Sequence, residues 1–553
     1  MTRTRVAAGL VAVAVAALLW WPLRDGVPYL DDWLFLALAA HLQEPQLLFL
    51  QDAVGAFFFR PIGLLAWWIS ERIMGSSASA QYAFNMLLQA GCGAAVAVLA
   101  RTFGLRRAVA CAAGLLFAVH PAPAATAMWL SDRFDLLATG FGLLALAATD
   151  RSMRRFTVAS SLGACALLML SIGGKEMGYA VAATAAAMVL LPGSDTTATV
   201  RQRALLLAGL VACTLVTLGA RYAFLRSGAE SMFLQDGVLA TVGGALVKAT
   251  LLLPQTLVVP YGNELAVATW AVSLGVLACA FLLLRAWRQL RAHSRPVIVG
   301  LGLALIALIA EAPILNATPT PPFDPSGFQF GALAAMRFFH LPVAGLALAA
   351  AAIAEAVAQA DERPTWPWRP ALALVMTIAL VATSYAIGGG YMDARGRART
   401  EAGMAQAAVA ALNAAGPMER PCKLYFLGTA ESGFGFRNYA DVAVKALLPR
   451  GHPATRCFIL SEEAPWYNVL ADAPPAIAER APLESMSFGG RPYPPLVLGN
   501  LTYYYVDIPN TAAVRDDPSA RFFEWREGRF VEITDALRRG AREVTFVKTR
   551  PPA

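Results

Sequence analysis

Charged residues are scarce in this chain of 553 residues: they make up 15% of it, against 57% hydrophobic residues. With a mean hydropathy of +0.53, so little polar surface excludes a large soluble globule. The chain has 5 histidines and 7 cysteines, and no CxxC pair or His/Cys cluster has metal-ligand spacing, which argues against a structural zinc site. The net charge of +8 is spread over short loops, without the basic, aromatic-rich face of a nucleic-acid-binding protein.

Long apolar runs of about 17 to 24 residues dominate the sequence instead. In a bilayer core, backbone polar groups must be satisfied within their own helix, so these runs predict a helical bundle. We predict a polytopic α-helical membrane protein of about eleven transmembrane helices with a C-terminal soluble domain. The predicted spans are residues 6–22, 80–100, 106–120, 134–150, 156–172, 176–192, 203–222, 264–285, 296–314, 334–358 and 369–388.

Arginines indicate the orientation, because Arg-rich loops alternate with Arg-poor ones and the positive-inside rule assigns the rich loops to the cytoplasm. The N-terminus is then inside, and eleven crossings place the segment after residue 388 outside. The apolar stretch 56–74 is interrupted by charges and a proline, and is predicted to lie in the membrane interface. The cytoplasmic loops hold Arg101, Arg106, Arg107, Arg151, Arg154, Arg155, Arg201, Arg203, Arg285, Arg288, Arg291, Arg295, Arg363 and Arg369, and the outer loops hold Asp31, His120, Arg133, Lys175 and Arg337.

The composition becomes more polar near residue 390, which predicts a transmembrane domain over 1–389 and a soluble domain over 390–553. The soluble domain is expected to be a small α/β or α+β fold. Cys422 and Cys457, in an oxidising compartment, would either form a disulfide or remain two buried thiols. The patterns predict a strand at Lys423–Gly428, a helix at Tyr439–Leu448 and a hairpin at Phe522–Ile533 that turns at Glu527 and Gly528.

Two adjacent carboxylates, Asp31 and Asp32, follow the first apolar run. Charges at a membrane surface usually mark function, and an aspartate there suits a general base that deprotonates an acceptor hydroxyl. The alternative is a cap for a helix running from Trp33 to Ala40. Paired carboxylates can also hold a divalent cation, but these two offer too few ligands by themselves to indicate one, so no cofactor is assigned.

Four cations, Arg60, Arg133, Lys175 and Arg337, lie near the outer ends of apolar runs. Guanidinium or ammonium groups there would stabilise the anion left when a lipid phosphate departs. The alternative is that they extend to lipid headgroups. His120 could bind a phosphate oxygen, or with Pro121 simply mark a turn.

Further polar residues between the spans are candidate sugar or acceptor contacts. Trp129 could stack on a pyranose face, and Asp135 either contacts substrate or pairs with Arg133 or Lys175. Glu176 follows Lys175 directly after a Gly-Gly turn. These two charges predict either a tight, functional outer hairpin or a mutual ion pair.

Several of these motifs, in their order along the chain, resemble the GT-C superfamily of membrane glycosyltransferases. The similarity is to the bacterial branch related to the transmembrane, tetratricopeptide-containing O-mannosyltransferases, and it covers roughly residues 20–350. The motifs that carry it are Phe59-Arg60-Pro61, His120-Pro121 followed by Trp129, Ser131, Arg133, Asp135, Leu136, Leu137 and Ala138, then Lys175-Glu176 and Arg337-Phe338-Phe339-His340-Leu341-Pro342.

The resemblance implies a polyprenyl-phosphate-sugar donor, inverting transfer, Asp31 and Asp32 as the catalytic motif, and substrate contacts from Glu176 and His340. It implies a bacterial inner membrane enzyme of class EC 2.4 with its C-terminal domain in the periplasm. The acceptor would be a protein such as a pilin or another envelope protein, or a surface glycan or lipid. Tetratricopeptide repeats are missing, and Pro123, Ala125 and Met336 replace residues typical of relatives, which leaves the sugar and acceptor open.

Two other functions fit a helical bundle. A flippase or transporter for lipid-linked sugars would place its charges near the membrane midplane, in broken helices. A non-catalytic assembly or receptor protein would use the outer domain alone and would tolerate loss of the first-loop carboxylates.

Overall fold

The structure is a computed structural model. It describes residues 21–28, 31–41, 59–193, 195–224, 240–244, 294–317, 337–360, 396–416, 418, 422–429, 434–461, 467–471, 487–488, 491–492, 496–498, 501–506 and 517–540. The chain divides into two compact units. The helical unit comprises Met1–Asp25, Tyr82–Arg221 and Phe233–Ala394, and the mixed unit comprises Gly26–Gln81, Tyr222–Met232 and Arg395–Ala553. The domain boundary at 389/390 stays a prediction.

Helices and strands are numbered here in chain order among the described residues. The longer helices are α1 (Asp31–His41), α2 (Pro61–Met74), α3 (Ala78–Thr102), α4 (Arg107–Val119), α5 (Pro121–Ala127), α6 (Arg133–Arg154), α7 (Val158–Gly174), α8 (Gly178–Leu190), α9 (Val200–Phe224), α10 (Ser294–Ala317), α11 (His340–Ala360), α12 (Gly396–Ala414), α13 (Phe434–Leu447) and α14 (Thr534–Arg538). The strands are β1 (Lys423–Leu427), β2 (Phe458–Ser461), β3 (Tyr467–Ala471), β4 (Ser487–Phe488), β5 (Arg491–Pro492), β6 (Leu496–Leu498), β7 (Leu501–Val506), β8 (Ala520–Arg526) and β9 (Arg529–Glu532).

Within the described residues, four helical segments are long and apolar enough to cross a membrane: Ala78–Thr102, Val200–Ala223, Ser294–Ala312 and Arg337–Ala356. The helices α4, α7 and α8 are apolar but shorter, and α2, in the predicted interfacial stretch, has 14 residues. Each predicted span in the described part coincides with a helix, whereas 6–22, 264–285 and 369–388 lie almost entirely outside it. The predicted number of about eleven spans is therefore not confirmed.

Two pairs of helices in the helical unit approach backbone to backbone. A Cβ atom on Gly93 of α3 would lie 2.6 Å from the carbonyl oxygen of Gly114 in α4. Likewise, a Cβ atom on Gly300 of α10 would lie 2.5 Å from the carbonyl oxygen of Gly345 in α11. Small residues allow membrane helices to pack this closely, so each glycine pair fixes one helix against its neighbour.

Charged side chains occupy both ends of α6. Near its C-terminal end, buried Asp150 binds Arg295 at 3.0 Å, and nearby Glu355 of α11 binds Arg106 at 2.6 Å. Both arginines belong to the loops predicted to face the cytoplasm. The first turn of α6 lies about 33 Å away, given 22 residues at 1.5 Å each. That first turn carries the second group of charges, described below.

A four-stranded sheet with the order β2-β1-β8-β9 forms the centre of the C-terminal part of the mixed unit. The strands β2 and β8 run parallel to β1, and α13 connects β1 to β2, while β8 and β9 form an antiparallel hairpin. The predicted strand, helix and hairpin are thus confirmed. The hairpin turns at Glu527 and Gly528, both with positive φ (49° and 80°), and Cys422 and Cys457 form a disulfide beside the first residues of β1 and β2.

Aromatic side chains cover both faces of β1, as expected for a central parallel strand. On one face, Phe426 stacks on Phe523 at 5.1 Å and meets the edge of Phe436 from α13 at 6.4 Å. On the other face, Tyr425 stacks on Phe522 at 5.2 Å. These contacts join the sheet and α13 into one core. Separate small sheets, β3-β7-β6 and β4-β5, lie in the same part of the chain.

Candidate functional site

The two predicted catalytic carboxylates open helix α1 of the mixed unit. Asp31 and Asp32 form its first turn, where the positive end of the helix dipole stabilises negative charge. Asp31 is half-buried, whereas Asp32 is fully buried. A base must reach the proton that it removes, so Asp31 is the better placed of the two. Its Oδ1 atom accepts a hydrogen bond from the Tyr439 hydroxyl at 3.1 Å.

Arg60, also in the mixed unit, is the N-cap residue of α2, and its side chain makes no capping hydrogen bond. Pro61 occupies the first helical position, where its missing N–H leaves no intrahelical bond unmade. The sequence Phe59-Arg60-Pro61 therefore acts locally as a helix start. Arg60 is half-buried.

In the helical unit, Lys175 is the centre of a buried three-residue cluster. Its Nζ atom lies 2.6 Å from Asp135 Oδ1 and 3.2 Å from Glu311 Oε1. All three side chains are at most 6% exposed. Two carboxylates thus face one ammonium group. Asp135 forms the ion pair with Lys175 that the sequence analysis gave as the alternative to a substrate contact. Glu311, on α10, was not among the predicted site residues.

Arg337 lies in a more open position at the same end of the helical unit. Its Nη1 atom lies 3.5 Å from Asp132 Oδ1, and its guanidinium carbon lies 4.6 Å from the centre of the Trp129 ring. The Arg337 side chain is 25% exposed, against 6% for Lys175. Trp129 is buried, and its ring contacts this guanidinium. This position favours a role for Trp129 in holding Arg337, and disfavours stacking of Trp129 on a sugar.

Arg133 is fully buried at the start of α6. Its Nε atom donates to Asn85 Oδ1 at 2.9 Å, and its guanidinium lies over the Phe84 ring. The Asn85 amide also donates to the Trp129 carbonyl at 3.1 Å. Arg133 and Asn85 therefore fix the segment between α5 and α6, which brings Trp129 beside Arg337.

His120 and His340 both bond within the protein. The Nδ1 atom of His120 accepts the Ala122 N–H at 3.2 Å and caps α5, in agreement with the turn interpretation. His340 Nε2 lies 2.8 Å from Gln89 Oε1, and its Nδ1 lies 2.9 Å from Thr139 Oγ1. Because the Gln89 amide donates to a backbone carbonyl, its Oε1 atom must accept from His340 Nε2–H. Substrate roles for both histidines stay predictions.

Glu176 binds Arg221 of α9 at 2.9 Å, and both side chains are 25% exposed. Among the described residues, its partner is thus Arg221. The structure therefore brings together His120, Trp129, Arg133, Asp135, Lys175, Glu176, Arg337 and His340 at one end of the helical unit, while Asp31, Asp32 and Arg60 belong to the mixed unit. Among the described residues, no group of three or more His, Cys, Asp or Glu side chains could hold a metal ion.

Sequence reasoning missed polar residues that organise this end of the helical unit. Two signals could have found them. A lone acidic residue inside an apolar run is costly unless paired, and polar residues four apart on an apolar helix share one face. The first applies to Glu311 and the second to Asn85 and Gln89, whereas Thr139 carries no comparable signal.

Comparisons with known proteins add little. No family model and no curated protein matches the sequence. Among solved structures, the chain is similar to the Archaeoglobus fulgidus oligosaccharyltransferase tethered to an acceptor peptide with the NVT sequon, at 13% identity over 80% of this chain and 63% of that chain, with a TM-score of 0.42. The apo form of the same protein matches at 13% identity over 80% of this chain and 64% of that chain, with a TM-score of 0.36. The chain thus spans less than two thirds of that protein, and these scores carry no conclusion about its activity.

Proposed function

We propose that this chain is a GT-C-type membrane glycosyltransferase that moves a sugar from a polyprenyl-phosphate donor to an acceptor hydroxyl on the non-cytoplasmic side. The observation that carries the proposal is the group of buried charges at one end of the apolar helices. Asp135 and Glu311 face Lys175 there, Arg133 is buried at the start of α6, and Asp132 faces the partly exposed Arg337. Burying so many charges beside a membrane is costly, and such residues usually serve function.

Arg337 is the cation best suited to a donor phosphate. Its contact with Asp132 is long, at 3.5 Å, and its side chain is 25% exposed, so a phosphate oxygen could replace that carboxylate. A guanidinium group binds phosphate with two parallel hydrogen bonds. Lys175, held by two carboxylates, would instead position Asp135 and the start of α6. Trp129 would keep the Arg337 guanidinium in place.

Asp31 is proposed as the general base. The acceptor hydroxyl would give its proton to Asp31 while its oxygen bonds to the anomeric carbon, and the bond from that carbon to the phosphate oxygen would break with its electron pair. The departing phosphate takes the negative charge, which a cationic group stabilises. Attack opposite the leaving group inverts the anomeric configuration. The proposed acceptor is a periplasmic protein or a surface glycan.

The location proposed is a bacterial inner membrane with the C-terminal domain in the periplasm. The disulfide between Cys422 and Cys457 supports this, since disulfides persist in oxidising compartments. The arginines around Asp150 and Glu355 support a cytoplasmic position for the opposite end of the helical unit.

The test is transfer of labelled sugar from a panel of polyprenyl-phosphate donors to periplasmic extract, by the purified protein in detergent. We expect Asp31→Asn to abolish transfer, because an amide cannot accept the proton. Asp25→Asn is the matched control: Asp25 is exposed and pairs with Arg24, so its loss should leave the rate unchanged. Full activity of Asp31→Asn would refute the base assignment, and transport of donor without transfer would favour a flippase.

A further inference from the structure

We propose that Tyr439, in the C-terminal part of the chain, is a positioning residue that sets the orientation of the Asp31 carboxylate. The inference rests on the proposed function, in which Asp31 is the base. Tyr439 lies on α13, the crossover helix between β1 and β2. The soluble part of the chain would then serve the chemistry directly, in addition to any contact with the acceptor.

The hydroxyl of Tyr439 donates to Asp31 Oδ1 at 3.1 Å. A single donor on one carboxylate oxygen restricts rotation of the group, and the second oxygen then keeps a defined direction. A base gains from such restriction because proton transfer requires a heavy-atom distance of about 2.6–3.2 Å and good alignment. Asp31 is half-buried, so this carboxylate remains accessible while it is held.

Helix α1 packs on α13, and hydrogen bonds near its C-terminal end support the contact. At the C-terminal end of α1, His41 Nε2 lies 2.7 Å from the Lys445 carbonyl oxygen. Arg450, just beyond α13, donates through Nε to the Ala40 carbonyl at 2.9 Å. Asp31 therefore stands on a helix whose C-terminal end is fixed against the element that carries Tyr439.

Helix α2 is attached to the same element. Ser76, just after α2, donates to the Ala446 carbonyl at 2.8 Å, and Arg450 Nη2 lies 2.5 Å from Glu71 Oε2. Burial raises the pKa of Glu71, while the charge of Arg450 opposes that shift. These contacts hold the backbone without Tyr439, so removing its hydroxyl should loosen the carboxylate and leave the helices docked.

Tyr439→Phe is the decisive variant, because it removes one oxygen atom and keeps the ring. We expect kcat to fall roughly tenfold, because a less well aligned carboxylate transfers the proton more slowly. The KM values for donor and acceptor and the thermal midpoint should stay unchanged. Tyr425→Phe is the matched control: Tyr425 stacks on Phe522 in the sheet, and its variant should keep the full kcat.

A second measurement reports the contact without catalysis. Asp31 should react with a water-soluble carbodiimide and an amine faster in Tyr439→Phe than in wild type, by several fold, as read by peptide mass spectrometry. Equal labelling rates would show that the hydrogen bond does not form, whatever the assay gives.

The outcomes separate the two proposals. Full kcat in Tyr439→Phe, with Asp31→Asn inactive, would overturn the positioning role and leave the base in place. Full activity in Asp31→Asn would refute the base assignment on which the inference rests, even if labelling confirmed the contact, and absence of transfer by the wild type would count against the proposed function itself. A kcat loss matched by an equal loss of folded protein would make Tyr439 a structural residue only.

Discussion

The ammonium group of Lys175 has two carboxylate partners in a region with almost no solvent access. Asp135 and Glu311 are stable there only as long as the cation faces them, since breaking a buried ion pair leaves uncompensated charge. Because Lys175 binds Asp135 in α6 and Glu311 in α10, it also connects these two helices. Lys175 is therefore expected to matter for stability as well as for function.

We predict that Lys175→Met lowers the free energy of unfolding by about 3–5 kcal/mol. Adding Glu311→Gln should recover part of that loss, because it removes one of the two stranded carboxylates. Denaturant unfolding in detergent, followed by tryptophan fluorescence, measures both. The comparison pair is Arg221 with Glu176, each 25% exposed, where Arg221→Met should cost at most about 1 kcal/mol. Similar losses in the two single variants would contradict this ranking.

At the scale of elements, α10 and α11 depend on the contact between Gly300 and Gly345. We predict that Gly300→Ala destabilises the helical unit by about 1–3 kcal/mol, because the new methyl group would meet the Gly345 carbonyl oxygen at 2.5 Å. Gly302, in the same helix, has nothing within 4 Å of its added Cβ, so Gly302→Ala should be neutral. Thermal unfolding of the two variants in one detergent gives the difference, and equal midpoints would refute close packing.

Elements with a clear periodicity could be predicted from sequence. The apolar runs predicted helices, and the Glu527-Gly528 turn between alternating strands predicted a hairpin, because glycine adopts the positive φ that Gly528 has there. Partners could not be predicted. Glu311 carries no sign of which cation it faces, and Lys175 had an equally plausible partner in the adjacent Glu176.

The sequence did not predict which segments form the mixed unit either. Residues 26–81 are apolar and read as part of the membrane region, yet they form one compact unit with the C-terminal domain. Asp31 and Tyr439 are separated by 408 positions, and no local pattern reports a contact over such a distance. The sequence could therefore predict which residues belong to the candidate site, but not the contacts between them.

At the scale of the whole molecule, the predicted topology rests on the two charged ends of the helical unit. We predict that a phosphatase reporter, active only outside the cytoplasm, works when fused after residue 553, and that a fluorescent reporter that matures only inside works after Arg155. The arginines near Asp150 are the physical reason for the second result. A cytoplasmic C-terminus would overturn the topology and, with it, the periplasmic site.

The mixed unit also has a consequence for biosynthesis. Its first residues are synthesised long before its last ones, because 408 positions separate Asp31 from Tyr439. At about 5–20 residues per second, that interval is on the order of 20–80 s. Throughout it, α1 has no helix α13 to dock against. A nascent chain would therefore carry the carboxylate without its proposed orienting partner, and the proposed arrangement would form only after α13 has been synthesised.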